Sequence, residues 1–356
     1  MARIKAMTSA RNADYEAEVI PGLEALAMDE LRQLPPVAPS QIRQTRAGFL
    51  RFRLTANESV LQSLRSVIAV YRIHNFAIPR PKALLGHEHF TRLLGNLRAA
   101  ARRFTPPPGT MGIAAAGSHT AVMQRLRLET SQALGLQLAE DGKGELFLRL
   151  ARQADGAGWE ALVRTTASPL SKRDYRLVNL PGALNATVAC AMTRMAQQPD
   201  GRVVLNLCSG SSTILIEHAQ SKVNDTLLAI DNCPDMLSAG RQNAELAGQG
   251  QRIAHLLADA TRAPLPAGSV DILYADLPFG HHIGSHEDNL ALYPALMREA
   301  SRLAKENAIF VVLTHEARLM ARTVRASGWR LRSETTLSLS GLHPRLFVLL
   351  KNSARI

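Results

Sequence analysis

The sequence predicts an α/β protein in which a doubly wound parallel sheet follows smaller α+β modules. Apolar, β-branched runs alternate with helical segments through the second half of the chain, which is typical of parallel strands joined by helices. Shorter strand-like and helix-like pieces alternate through the first half. With 356 residues, the chain has room for two or three domains and at least one large core.

The composition is that of a globular protein, with 46% hydrophobic and 20% charged residues. No run of about 18 apolar residues is present, and residues 1–23 lack the apolar core of a signal peptide. The three cysteines, Cys190, Cys208 and Cys233, are odd in number and widely spaced, which argues against a disulfide scaffold or a zinc site. We therefore expect a cytoplasmic protein with no metal and no membrane partner.

The first half of the chain is predicted to hold two α+β modules after a loose tail at residues 1–13. The first module spans residues 14–75 and the second spans residues 76–166, with a turn at the proline run of residues 106–108. The predicted strands are 15–20, 48–54, 111–116, 144–150 and 160–164, and the predicted helices are 23–34, 60–66, 90–103 and 120–134.

Residues 167–356 are predicted to form the doubly wound sheet. A helix is expected at 182–196, and further helical segments separate most of the strands that follow. The expected parallel strands are 203–207, 227–230, 253–257, 270–275 and 309–313. Residues 329–339 and 346–350 close the chain as an antiparallel pair.

The positive charge is concentrated in one block of the sequence. The net charge is +12, and residues 31–130 hold 15 Lys and Arg against 3 Asp and Glu, while the remaining residues hold 27 of each sign. Such segregation favours a footprint for a nucleic acid over an ordinary solvated surface, because phosphate contacts dominate nucleic-acid affinity. The candidate contacts are the helical arginines Arg98, Arg102, Arg103, Arg125 and Arg127.

Asp276-Leu277-Pro278-Phe279 follows one of the predicted buried strands. Hydrogen-bond acceptors such as a carboxylate can orient the exocyclic amino group of a nucleobase, and an aromatic ring can stack on the base. The tetrapeptide therefore suggests a nitrogen methyltransferase that acts on a base. The same residues also occur in ordinary strand-end turns, so its meaning depends on the upstream strands.

Three upstream strands also end in small or acidic residues. The first runs into a small-residue loop and a helix N-terminus, where backbone N–H groups can approach a nucleotide-like cofactor. Acidic residues after the next two could accept hydrogen bonds from ribose hydroxyls and an adenine amino group. Singly each is an ordinary helix cap, but together they line one crevice of one sheet. The candidate cofactor-binding residues are Asn206, Cys208, Gly210, Ser211, Thr213, Asp231, Asn232, Asp259 and Ala260.

S-adenosylmethionine is the cofactor that explains all four strand ends. A nicotinamide oxidoreductase would share the first two, but it would need Gly-x-Gly-x-x-Gly where residues 209–213 are Ser-Gly-Ser-Ser-Thr. It also gives no role to the tetrapeptide.

Several segments match one known pattern: Pro21-Gly22-Leu23-Glu24, residues 170–176, residues 208–217, residues 276–280 with 283–285, Leu292-Tyr293-Pro294 and Met297-Arg298-Glu299. Through them, residues 15–351 resemble the THUMP-domain RNA guanine-N2 methyltransferases, and most closely the branch that methylates guanosine in the tRNA acceptor stem. The resemblance implies a ferredoxin-like module at 14–75, a THUMP RNA-binding domain at 76–166 and a Rossmann-like methyltransferase domain at 167–356.

The resemblance also implies roles for the tetrapeptide. The Asp276 carboxylate and the Leu277 carbonyl would accept the two N–H bonds of the guanine amino group, Pro278 would keep the turn rigid, and Phe279 would stack on the extruded base. The partner would be a structured RNA, above all tRNA, read by shape more than by sequence. A monomer is favoured.

Two positions depart from the family pattern, which usually begins the cofactor loop with Asp and carries a second glycine. This chain has Asn206 and Ser212 there, from which we expect weakened cofactor binding. Two alternative functions therefore stay open: a THUMP RNA-binding protein with an impaired cofactor pocket, and a methyltransferase of another acceptor, such as guanine N2 in ribosomal RNA or adenine in DNA. The THUMP-like region argues against DNA.

Overall fold

The computed structural model describes residues 12–35, 38–154, 156–176, 183–278, 285–339 and 341–352. The chain divides into two compact units, the first made of Met1–Val19 and Ala27–Leu170 and the second of Ile20–Leu26 and Ser171–Ile356. Each unit is built on its own sheet. Within the described ranges, every helix is too short or too polar to cross a bilayer.

The sheet of the first unit has eight strands in the order β2-β3-β1-β4-β8-β7-β5-β6. They are β1 (Ala13–Glu18), β2 (Ser40–Arg46), β3 (Phe49–Leu54), β4 (Ala69–Phe76), β5 (Thr110–Ala115), β6 (Gln137–Leu138), β7 (Leu146–Arg152) and β8 (Trp159–Arg164). Neighbours are antiparallel, except that β5 runs parallel to β6 and β7. Because β4 pairs with β8, the two predicted N-terminal modules share one continuous sheet.

Three α-helices belong to this half of the chain: α1 (Glu24–Arg32), α2 (His87–Ala101) and α3 (Ala121–Leu134). Leu93 and Leu97 of α2 and Leu126 of α3 pack with apolar side chains of β5, β7 and β8, which include Ile113 and Leu148. The apolar spacing of these helices therefore serves the sheet, as expected for amphipathic helices.

One predicted helix of the first unit is wrong. At 60–66 the structure has a 3₁₀ turn over Glu58–Ser63, and the chain is already extended at Leu64. The β-branched run that follows leads into β4, a strand that the sequence interpretation missed. The missed strand β2 is polar and largely exposed, so it shows no apolar alternation.

The second unit has a seven-stranded sheet in the order β11-β10-β9-β12-β13-β15-β14. Its strands are β9 (Val203–Leu207), β10 (Thr226–Asp231), β11 (Ile253–Leu257), β12 (Val270–Asp276), β13 (Ala304–Thr314), β14 (Trp329–Thr336) and β15 (Arg345–Lys351). The first five in spatial order are parallel, and β15 lies antiparallel between β13 and β14. The predicted doubly wound sheet and its closing antiparallel pair are thus confirmed.

The helices of the second unit are α4 (Ala186–Met195), α5 (Thr213–Ser221), α6 (Pro234–Leu246), α7 (His286–Leu303) and α8 (Ala317–Arg325). The central strands are buried on both faces, as their continuous apolar runs require. The strand order reverses between β9 and β12, and ligands bind at such a point beyond the carboxyl ends of the strands.

Two segments of the family resemblance anchor the second unit. Gly22 has a φ of +103°, and a Cβ there would lie 2.2 Å from the Thr336 carbonyl oxygen, so glycine is required. The Ser338 N–H donates to the neighbouring Pro21 carbonyl at 3.1 Å. Arg173 and Tyr175 both donate to the buried Glu217 carboxylate of α5, at 3.0 and 2.7 Å, and so tie the segment that opens the catalytic region to that helix.

Candidate active site

The predicted cofactor residues lie at the carboxyl ends of the adjacent parallel strands β11, β10 and β9, and the predicted catalytic Asp276 lies at the end of β12 beside them. Three carboxylates from these strand ends lie close enough to the partly buried Cys208 thiol, which follows β9, to influence its pKa. Burial, with the negative charges of Asp231, Asp276 and Asp259, raises the pKa of this thiol to about 12. Residues from all four strand ends therefore face one crevice, and Cys208 is not an activated nucleophile.

The loop from β9 to α5 has an unusual backbone. Cys208, Gly210 and Ser212 have φ angles of +56°, +51° and +59°, so every second residue is left-handed. A Cβ at Gly210 would meet no atom within 4 Å, which means that the space beside the loop is open. Ser211 and Thr213 share a hydroxyl hydrogen bond of 3.2 Å where α5 begins. The loop thus offers open space at a helix N-terminus, as a nucleotide-like cofactor requires.

Asp231 fastens this loop to β10. Its Oδ2 accepts the Gly210 N–H at 2.8 Å, and its Oδ1 accepts the Cys233 N–H at 3.0 Å. Each carboxylate oxygen keeps lone-pair capacity for a further donor, such as a ribose hydroxyl. Asn232 is exposed beside it.

Asp259 lies exposed after β11, and the next residue, Ala260, is buried. Asp259 Oδ1 accepts the backbone N–H and the hydroxyl of Thr261, both at 2.8 Å. The Thr261 N–H in particular keeps the pKa of Asp259 below its usual value. The group is therefore an ionised acceptor, which suits a ligand amino group.

Asn206, one of the two departures, is buried between strands. With its amide nitrogen oriented toward them, it donates to the Tyr274 and Leu207 carbonyls at 3.2 and 3.3 Å. An ionised carboxylate at this position would face the Tyr274 and Leu207 carbonyl oxygens and would have no hydrogen to donate to them. The Asn206 amide therefore suits this position, because its nitrogen donates to carbonyl groups of the sheet.

Asp276 ends β12 at the same edge. Part of the residue reaches solvent, yet its Oδ1 atom is buried and has no hydrogen-bond partner among the described residues. Burial raises the pKa of this carboxyl to about 7. A buried acceptor without a donor is costly, and perturbed carboxyls in clefts are typical of functional sites.

The turn after Asp276 is fastened by contacts that the sequence did not predict. The Leu277 N–H donates to the Leu313 carbonyl at 3.0 Å. The Pro278 carbonyl accepts from the Tyr293 hydroxyl at 3.1 Å and from the Asn289 amide at 3.3 Å. By contrast, the described part of the chain has no donor on the Leu277 carbonyl. Two acceptors, Asp276 Oδ1 and the Leu277 oxygen, are thus left for a ligand.

Asn289 and Tyr293 are the functional residues that sequence reasoning missed. Both are fully buried on α7, four residues apart, in line with apolar Met297 and Ala300. Polar residues within an apolar helical stripe are the signal that could have identified them. Phe279, the predicted stacking residue, lies outside the described residues, so its role stays a prediction.

Four of the five arginines proposed for nucleic-acid contact have protein partners. Arg103 pairs with Glu58 at 3.1 Å and Arg125 with Glu129 at 2.6 Å. Arg98 donates to the Ala133 carbonyl, and Arg127 donates to the Ile113 and Ser118 carbonyls. Arg102 is exposed, and the described residues offer it no partner.

A doubly wound sheet with an antiparallel strand next to its edge, an open cofactor loop after its first strand and a carboxylate after its fourth define an S-adenosylmethionine-dependent methyltransferase. Residues 173–345 match the family model described as UPF0020, RMKL-like, methyltransferase domain. The matched residues include the strands from β9 to β14, so this part of the chain is similar to that family.

The chain is similar to two proteins named as tRNA guanine-N2-methyltransferases and to one solved structure. It is 29% identical over 94% of its length to a tRNA (guanine(6)-N2)-methyltransferase of Thermus thermophilus, of which it covers 99%. The crystal structure of TrmN from Thermus thermophilus aligns with a TM-score of 0.74 at 25% identity, over 96% of this chain and 100% of that one.

The third relative, the bovine tRNA (guanine(6)-N(2))-methyltransferase THUMP3, is 32% identical over 48% of this chain, which spans only 36% of its length. Together, these relatives confirm the predicted resemblance to RNA guanine-N2 methyltransferases.

Proposed function

We propose that this enzyme methylates N2 of a guanine in the acceptor stem of tRNA, with S-adenosylmethionine as methyl donor. The observation that carries the proposal is a pair of acceptors for which the described residues provide no donor, Asp276 Oδ1 and the Leu277 carbonyl, beside the cofactor loop. The relatives supply the acceptor, because those named above are described as acting on guanine 6 of tRNA.

The two acceptors address the weak nucleophilicity of the guanine amino group, whose lone pair is delocalised into the ring. Asp276 Oδ1 and the Leu277 oxygen accept its two N–H bonds and fix its orientation. The Pro278 carbonyl, already bound by Asn289 and Tyr293, keeps this turn in place. With a pKa near 7, Asp276 can also take the proton that the amino group loses.

The residues around the crevice fit the cofactor. The open side of Gly210 leaves room beside the loop, Asp231 has capacity for ribose hydroxyls, and the ionised Asp259 can accept from an adenine amino group. When bound, S-adenosylmethionine supplies an electrophilic methyl group. This fit supports an enzyme over an RNA-binding protein with an impaired pocket.

The first unit is proposed to bind the RNA, with a ferredoxin-like module at residues 14–75 and a THUMP domain at 76–166. In support, this unit holds 22 Lys and Arg against 13 Asp and Glu, whereas the second holds 20 against 17. A monomeric, cytoplasmic enzyme remains our proposal.

A methyl-transfer assay with nucleoside mass spectrometry tests the proposed reaction. The purified protein, tritiated S-adenosylmethionine and a transcribed tRNA should yield N2-methylguanosine in the acceptor stem, and Asp276→Ala should yield none. Label in another nucleoside would contradict the proposal, and label in ribosomal RNA alone would favour the alternative acceptor. Calorimetry with S-adenosylhomocysteine identifies an RNA-binding protein without a working cofactor site, because such a protein would show no binding.

A further inference from the structure

Ser212 occupies a backbone conformation that normally belongs to glycine. It is the N-cap of α5, with φ of +59° and ψ of +20°, in the left-handed region. A side chain is disfavoured there, because the Cβ crowds the backbone. Ser212 is nonetheless fully buried, so its side chain lies within the protein and not in the open crevice.

The Ser212 hydroxyl has a specific partner on β11, which is separated from β9 by β10. Its Oγ lies 2.9 Å from Nε2 of His255, which belongs to β11. The other ring nitrogen of His255, Nδ1, lies 3.0 Å from the Ile253 carbonyl, which can only accept. Nδ1 therefore carries the proton, Nε2 is the acceptor, and the Ser212 hydroxyl donates to it.

Two further features support this hydrogen bond. Burial, with the nearby positive charge of Arg241, lowers the pKa of His255, so the ring is neutral at neutral pH and keeps its lone pair. Gly240 of α6 leaves the space that the pair fills. A Cβ at Gly240 would lie 2.5 Å from Ser212 Oγ and 3.3 Å from His255 Nε2.

We propose that His255 is a positioning residue for the cofactor loop and that it acts through Ser212. The loop is then fastened on two sides, by Asp231 at Gly210 and by His255 at Ser212. The inference rests on the proposed cofactor site, and it means that Ser212 helps to hold the cofactor loop in place. Ser212 stands where the family has glycine. It is tolerated because His255 and Gly240 accommodate its side chain, which therefore does not obstruct the crevice.

A double-mutant cycle tests the proposal, with S-adenosylhomocysteine binding by calorimetry as the readout. His255→Leu should raise the dissociation constant about 5- to 10-fold, as expected for a lost buried hydrogen bond. Ser212→Ala should do the same, while Ser212→Gly, which relieves the backbone, should change it less than about 2-fold. In the Ser212→Gly background, His255→Leu should have little further effect.

Three additional variants sharpen the cycle. His255→Gln, whose amide oxygen can accept from Ser212, should restore part of the affinity. Gly240→Ala should weaken binding more in the wild-type background than beside Ser212→Gly, because the 2.5 Å contact is then gone. Gln251→Leu, at an exposed position just before β11, is the matched control. Thermal unfolding of each variant shows that it is folded during the titration.

Equal losses from His255→Leu in both backgrounds, or no loss in either, would overturn the proposal. Wild-type protein that does not bind S-adenosylhomocysteine would instead overturn the cofactor site on which the inference rests. Methyl transfer is not needed for the readout, so failure of the proposed RNA substrate leaves the cycle interpretable.

Discussion

The carboxylates of Glu16 and Glu160 in the first unit and of Asp276 in the second lie in opposite environments. In the first, Glu16 accepts from Arg51 at 3.0 Å and also from Arg149, and Glu160 accepts two hydrogen bonds from Arg51 at 2.9 and 2.6 Å. In the second, Asp276 Oδ1 is buried without a donor in the described structure, and its pKa rises to about 7. Paired buried acids hold the first sheet together, whereas the unpaired one is available to a substrate.

Strand pairing in the first unit changes how the concentration of positive charge along the sequence should be interpreted. Arginines of the basic block at residues 31–130 are neutralised by acids outside it: Arg53 by Asp14, and Arg51 by Glu16 and Glu160. These acids lie on β1 and β8, which pairing brings into the same sheet as β3. The positive charge is therefore less concentrated in the folded protein than it is along the sequence.

The largest expected effect is on catalysis at the unpaired carboxylate. Asp276→Asn keeps the size of the side chain but loses the charge and the ability to take a proton. We expect methyl transfer to tRNA to fall about 10³-fold, the scale of losing a principal electrostatic contact in an active site. Binding of S-adenosylhomocysteine should stay within about 2-fold of wild type. Residual activity above about a tenth would contradict the role of Asp276.

Loss of the paired Glu16 carboxylate should lower stability, whereas loss of the Asp276 carboxylate lowers activity. Glu16→Gln leaves Arg51 and Arg149 facing a neutral amide, and we expect a loss of about 3 kcal/mol in unfolding free energy. Asp29→Asn is the matched control, because both side chains of the Asp29–Arg32 pair are 59% exposed. It should change stability by less than about 0.5 kcal/mol. Equal effects in denaturant titrations would remove the distinction between the two kinds of acid.

The raised pKa of Asp276 predicts a stability gain from the same variant that loses activity. Because the folded-state pKa is about 7 and the ordinary value is 3.8, ionisation destabilises the folded protein as the pH rises through that window. Asp276→Asn should therefore match wild type near pH 4 and be more stable by about 2 kcal/mol at pH 8, about half of what the full pKa difference corresponds to, because the residue is partly exposed. Unfolding curves at both pH values measure this, and a gain that does not depend on pH would point to another cause.

Local apolar pattern and long-range contact decide which parts of the fold and of the site could be predicted from the sequence. The strands β9 and β11 were predicted residue for residue, because four of the five residues in each are apolar. Asp231 and Asp276 were identified because each ends such a strand. Asn289, Tyr293 and His255 were missed as positioning residues because their partners lie 11 to 43 residues away in sequence. The apolar stripe of α7 could have drawn attention to Asn289 and Tyr293, but no local pattern identifies the tertiary partners of these residues.

A smaller effect is expected at the support of the catalytic turn. Tyr293→Phe removes the hydroxyl that donates to the Pro278 carbonyl and lies 2.7 Å from the Thr314 hydroxyl. Because Asn289 still donates to Pro278, the turn should loosen without collapsing. We expect kcat to fall about 10-fold with little change in the KM for S-adenosylmethionine. Leu290→Ala, at an exposed position on the same helix, should leave both constants unchanged.

The smallest expected effect concerns arginines with and without protein partners. Arg102 is exposed and free of partners in the described chain, so Arg102→Glu should weaken tRNA binding severalfold and lower the salt slope by about 1, without loss of stability. Arg127→Glu should instead lower the melting temperature, because the guanidinium that donates to the Ile113 and Ser118 carbonyls is gone. Filter binding at several salt concentrations, with thermal unfolding alongside, separates these outcomes. If Arg102→Glu left the slope unchanged, the RNA would have to be bound through other cations, because each Lys or Arg that neutralises a phosphate releases counterions.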